Sequence, residues 1–216
     1  MGASVYLSDI LHLASQALLI PTMLVLAALI LYSLWNIGAV VVEYFTERRR
    51  LTAKVPELAD VLNAAKVSDF GRIIESSGLL RRQKASLLEL TLHRQLPEDS
   101  LVAVARRLLA TEEDYYGGVV GRTDTIAKIA PMLGLMGTLI PLGPGLIGLG
   151  TGDVTTLSRS LLIAFDATVA GLFAAAIGFV ISKVRRRWYE NYVVSLDALT
   201  TCVLEKMIAE HGRSVR

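Results

Sequence analysis

The amino-acid sequence predicts an all-α integral membrane protein. Three transmembrane helices run N-terminus out and C-terminus in, and long helices extend from them into a cytoplasmic helical domain. Three observations predict this. First, 53% of the 216 residues are hydrophobic and only 19% charged, against about 25% charged in average soluble chains, and mean hydropathy is +0.50. Second, the apolar residues concentrate in three windows nearly free of charge. Third, the basic residues that flank those windows gather at one set of ends, with Arg159 alone at the other. A disordered chain, a disulfide scaffold and a simple soluble globule are excluded. With a single cysteine, Cys202, no intrachain disulfide or cysteine-based metal site is possible. The three histidines stand far apart and no metal is expected. A net charge of +2 gives no argument for nucleic acid.

Residues 1–17 form an outer N-terminal segment. Residues 13–42 contain no Asp, Glu, Lys or Arg, and about 20 apolar residues cross the hydrocarbon core. The first span is placed at 18–42, with Pro21 in its first turn, where a missing N–H costs little. A cleaved signal peptide would need a basic start and a shorter apolar run; neither is present.

Residues 43–128 make one large cytoplasmic insertion rich in Leu, Ala, Glu, Arg and Lys. Segments 56–66, 69–77, 84–96 and 98–116 read as amphipathic helices, with Pro97-Glu98-Asp99 marking a fresh helix start. Gly117-Gly118 is expected to loosen the last of them.

The second span is placed at 129–150, the outer loop at 151–159 and the third span at 160–182, interrupted only by Asp166. Residues 183–216 continue as a cytoplasmic C-terminal helix. Its Tyr192, Leu196, Leu199, Val203 and Met207 form a heptad-like seam, to be buried on the chain's own helices or on a neighbouring subunit. Arg48-Arg49-Arg50, Arg122 and Lys128, and Lys183 with Arg185-Arg186-Arg187 all fall on one side, which the positive-inside rule assigns to the cytoplasm.

Small residues mark one face of each of the last two spans. In the third, Ala164, Thr168, Gly171, Ala175, Gly178 and Ser182 follow steps of 4, 3, 4, 3, 4. In the second, Pro131, Gly134, Thr138, Pro141, Gly145 and Gly148 follow steps of 3, 4, 3, 4, 3. Lipid gives no hydrophobic drive for helix association, so close approach across small residues supplies it. Two readings stand: packing within one subunit, or lining of a shared groove or pore. Thr138 and Thr168 lie at similar depth, and each hydroxyl either holds water or a partner's polar group, or bonds back to its own helix. The Pro141-Leu142-Gly143-Pro144-Gly145 run predicts a kink facing a protein interior. Asp166, the lone ionisable residue in the spans, is either a functional group or a carboxyl bonded to a neighbouring hydroxyl.

Gly134-Leu135-Met136-Gly137-Thr138-Leu139 resembles the second-span motif of the MotA/TolQ/ExbB proton-channel family, and the Ala164–Ala175 segment AFDATVAGLFAA resembles its third-span motif. The three-span plan with a large first cytoplasmic loop is similar to the TolQ/ExbB branch. The resemblance implies a homo-oligomer, a pentamer, in the cytoplasmic (inner) membrane, working as the proton-channel subunit of an energy-transducing motor. It implies a single-span TolR/ExbD-like partner carrying a membrane Asp, protons as the coupling ion and no cofactor. On this resemblance Thr138 and Thr168 line the pore. Asp166 is added as a proton-pathway residue, and Gly134, Pro141, Gly145, Ala164, Gly171, Ala175 and Gly178 as pore-facing helix packing. The family's usual acid five residues before the third-span threonine is Ile163 here. The alternative function is a non-conducting oligomeric scaffold that recruits partners through its cytoplasmic helices. A membrane enzyme would need clustered catalytic residues, and the sequence offers none.

Overall fold

The computed structural model describes residues 2–46 and 55–214, and every described element is helical. The Arg48-Arg49-Arg50 cluster lies outside the described residues. In order come α1 (Gly2–Ala17), α2 (Leu19–Thr46), α3 (Val55–Ala64), a 3₁₀ turn (Val67–Asp69), α4 (Phe70–Ser76), α5 (Arg81–Leu92), α6 (Glu98–Gly150) and α7 (Val154–Ser214). Three helical stretches are long and apolar enough to cross a membrane: Leu13–Thr46, Glu98–Gly150 and Val154–Glu210.

Leu18 forms a turn between α1 and α2, and Pro21 stands in the first turn of α2. The Thr22 and Asn36 side chains are buried on one face of α2 and bond to the carbonyls four residues earlier, Leu18 in the turn and Tyr32 in the helix, at 2.7 and 2.8 Å. This keeps their polar atoms satisfied where water is absent.

Helix α6 runs unbroken for 53 residues. It passes through Gly117-Gly118, where the sequence predicts loosening. Both glycines are exposed, and the flanking Tyr116 and Val120 are buried together with Trp188, Tyr189 and Tyr192. That packing outweighs a glycine penalty of about 1 kcal/mol each. The helix also contains Pro131, Pro141 and Pro144. Pro144 has no N–H to offer the carbonyl four residues earlier, Ile140. The Gln16 side-chain amide of α1 reaches that carbonyl at 3.4 Å.

The turn from α6 to α7 is short and fully accounted for. Gly152 has φ +80°, a conformation that costs other residues about 1–2 kcal/mol. Its N–H bonds to Leu149 O at 3.1 Å, and the Asp153 N–H bonds to Gly148 O at 2.8 Å, the paired closure of a Schellman motif. Asp153 then caps α7, accepting the Thr156 amide at 3.0 Å and the Thr156 hydroxyl.

The chain divides into two compact units. One combines the N-terminal stretch up to Ala39 with Gly121–Lys183. Its interior is made of small residues: Ala130, Ala174 and Ala175 with Ile126, packed by Leu29 and Ile30 of α2. The other combines the described residues of Val40–Val120 with Val184–Arg216. Its core is conventional, with Leu62, Phe70, Ile74, Leu87, Leu90 and Leu101 closing on Leu196, Leu199, Val203 and Met207. The heptad-like seam of α7 is therefore buried on the chain's own helices. In this unit α5 begins at Arg81, three residues before the predicted start. The Gln83 side chain accepts the Leu80 amide at 3.1 Å and donates to Tyr192 O at 3.0 Å, which organises that first turn.

Candidate functional site

The small stripes of α6 and α7 meet each other. A methyl placed on Gly171 would lie 2.7 Å from Ala130 O and 2.9 Å from Gly134 Cα. One on Gly178 would lie 3.0 Å from Thr123 O, and one on Gly145 would lie 2.9 Å from Ser160 Cβ. Only glycine lets two backbones approach so closely. Gly134, Pro141, Gly145, Ala164, Gly171, Ala175 and Gly178 are all buried. For the glycines, the burying surface is the partner helix of the same chain. Of the two readings of the stripes, packing within one subunit describes these contacts.

The sequence stripes missed two members of the seam. Gly137 and Ala167 are both buried, and a methyl on Gly137 would come within 2.6 Å of Ala167 Cβ. Leu26 and Met23 of α2 approach the same spot at 3.6 and 3.7 Å. The signal that could have found Gly137 is the Gly134-x-x-Gly137 spacing, one turn on the same face.

Thr138 and Thr168 each follow one residue after this Gly137–Ala167 contact. Successive residues turn by about 100° around a helix. On two antiparallel helices facing each other, that step carries both side chains to the same flank. The two threonines therefore share one level and one flank of the hairpin, and both are half-buried. Asp166 precedes Ala167 and turns to the opposite flank. It is exposed among Leu162, Phe165, Val169 and Phe173, and no neighbouring hydroxyl bonds to it among the described residues. The structure brings the two threonines together and leaves Asp166 apart from them.

The Thr138 hydroxyl donates to Leu135 O at 2.7 Å and the Thr168 hydroxyl donates to Ala164 O at 3.0 Å. Each proton is thus engaged by its own helix, while the oxygen lone pairs remain as acceptors. Such a pair can receive a hydrogen bond from water or from a protonated carboxyl group.

Outside the spans, two ion pairs that sequence reasoning did not find hold the second unit. Arg82 grips Glu112 through two bonds of 2.9 and 3.0 Å, and that pairing raises the pKa of Arg82 against the effect of burial. Arg185 reaches Glu43 at 3.1 Å, with both side chains largely buried. Residues 142 positions apart carry no local sequence signal of such pairing.

Comparison with known proteins places this arrangement. The description of the MotA/TolQ/ExbB proton channel family matches residues 79–198. The biopolymer transport protein ExbB of Salmonella typhimurium is 28% identical over 191 residues, covering 84% of this chain and 77% of that protein. ExbB of Salmonella typhi matches to the same extent. With more than half its length inside the family match, both threonine-bearing segments included, the chain belongs to the MotA/TolQ/ExbB proton channel family.

Proposed function

We propose that this chain is the channel-forming subunit of a proton-driven motor in the inner membrane, with its N-terminus outside and its C-terminus in the cytoplasm. Copies of it, five on the family plan, surround the membrane helices of a TolR/ExbD-like partner, whose Asp takes up and releases the coupling proton. No bound cofactor and no covalent catalysis enter the cycle. The Salmonella relatives are named for biopolymer transport, and force delivered to an outer-side domain for transport is the output this reading assigns.

The single observation that carries the reading is the shared flank and level of Thr138 and Thr168, each with its proton held by a backbone carbonyl. A carboxylate is costly to hold in apolar surroundings. Once protonated, it becomes a hydrogen-bond donor, and two acceptor oxygens are what it needs. The threonine flank thus receives the neutral form during passage, while ionisation is left to the aqueous ends of the path. The membrane potential supplies about 2.3 kcal/mol per charge per 100 mV. Asp166, on the opposite flank, lies away from this acceptor pair and serves the proton path only at a subunit boundary.

The test is proton flux in liposomes containing the complex co-purified with its single-span partner. Thr168→Val and Thr138→Val remove the acceptor oxygen while keeping shape. Loss of one hydrogen bond to a desolvated group is worth about 1.4 kcal/mol or more, so flux should fall about ten-fold or more. Thr→Ser at either position should retain it. Wild-type flux in both valine variants, with assembly intact, would overturn the role given to the threonine pair. Flux no higher than in empty liposomes for the unmodified complex would return the chain to the non-conducting scaffold reading.

A further inference from the structure

A cavity of about 440 Å³ in the second unit is lined by Arg81, Arg82, Tyr115, Tyr116, Arg185 and Tyr189, with Glu43 at its wall. Apart from Arg81 and Arg82 of α5, these walls come from helix stretches next to the ends of spans that the basic residues assign to the cytoplasm. Glu43 directly follows the first apolar run, Tyr115 and Tyr116 precede the second, and Arg185 and Tyr189 follow the third. We propose that this cavity binds the phosphate headgroup of an anionic phospholipid of the inner leaflet.

Charge selects an anion. Three arginines face one lining glutamate, and that glutamate is already held by Arg185. Arg82 is fixed in place by its fork to Glu112 and by stacking of its guanidinium 3.6 Å over the Tyr115 ring. Its carboxylate partner occupies two of five N–H groups, so others remain to donate. Arg81 is exposed and makes no ion pair among the described residues. It opens α5, whose first-turn backbone N–H groups add to the positive end, although the Leu80 amide is taken by Gln83.

Location selects a lipid over a soluble anion. Tyr116 and Tyr189 stack with ring centroids 4.7 Å apart, and Tyr44 lies 6.0 Å from Trp188. Amphipathic rings of this kind settle at the headgroup level. Basic pockets among span ends on the cytoplasmic side suit anionic headgroups, which reach them by lateral diffusion. The inference depends on the membrane topology and not on proton conduction.

The experiment is native mass spectrometry of the purified full-length protein in nonionic detergent, titrated with phosphatidylglycerol and with phosphatidylcholine. Phosphatidylglycerol should bind more tightly. Arg81→Gln should weaken it about five-fold, the worth of one surface arginine against an anionic lipid, while phosphatidylcholine binding and the melting temperature stay unchanged. Arg81→Glu should weaken it further, and Arg94→Gln, at a distant basic surface, should have no effect. Millimolar inorganic phosphate should not displace the lipid. The proposal is overturned if the two lipids bind equally or if Arg81→Gln leaves the preference intact. It is overturned equally if phosphate displaces the lipid, since the site would then hold a soluble anion. Proton flux is not measured, so failure here leaves the channel assignment untouched.

Discussion

Gly134 and Gly171 meet main chain to main chain: a single methyl on Gly171 would lie 2.9 Å from the Gly134 Cα. The obstructing atoms are backbone, which cannot swing aside as a side chain does. Gly171→Ala should therefore destabilise the protein by about 1–3 kcal/mol, the usual cost of overpacking. Gly118→Ala is the counterpart. Its methyl meets nothing within 4 Å, and it should stabilise α6 by about 1 kcal/mol through helix propensity. Thermal melting in detergent, followed by circular dichroism, should show opposite shifts for the two variants.

The Arg185–Glu43 pair should be costly to break from one side and cheap to remove whole. With both side chains 14% exposed or less, Arg185→Met or Glu43→Gln alone leaves a desolvated partner uncompensated, at about 3–5 kcal/mol. The double variant Glu43→Leu/Arg185→Met should recover most of that loss. A double-mutant cycle on the melting transition measures the coupling.

Much of this was readable in advance, and the limits were physical. The spans follow from runs of uncharged residues, and the small stripes follow from steps of three and four. The unbroken 53-residue run of α6 was less legible, because Gly117-Gly118 reads as a loosening and the PLGPG run as a kink. A buried aromatic cluster around Tyr116 holds the first, and Gln16 supplies a donor to the carbonyl orphaned by Pro144 at the second. Both remedies come from residues remote in sequence. The common flank of Thr138 and Thr168 likewise needed the Gly137–Ala167 contact, which fixes how the two helices are turned.

Asp153 makes the α6–α7 turn sensitive to acid. Hydrogen bonds from the Thr156 hydroxyl and then from its amide hold the Asp153 carboxyl below its ordinary range. A carboxylate with a lowered folded pKa contributes stability above the unfolded value, about 3.9. That contribution disappears as pH falls through the folded value. Melting temperature should drop between about pH 5 and about pH 3 in the wild type. Asp153→Asn keeps a capping oxygen but cannot be protonated in this range, so its decline over the same interval should be shallower.

Cys202 should be unreactive in the folded protein. Burial, and next the carboxylates of Glu205 and Asp60, push its thiol pKa up, while its Sγ donates to Ala59 O at 3.6 Å. Thiolate is the nucleophile, so iodoacetamide at neutral pH should label it only as the unit unfolds. Labelling that tracks urea denaturation would bear this out; rapid labelling of native protein would not.

The glycine clasp between the two long helices also constrains how the hairpin can change. Backbone atoms have no rotamers, so this joint has one seating and no graded adjustments. The hairpin is thereby a fixed part, and substitutions are absorbed instead by the bulky outward side chains, such as Leu135, Leu139 and Val169, which stand exposed.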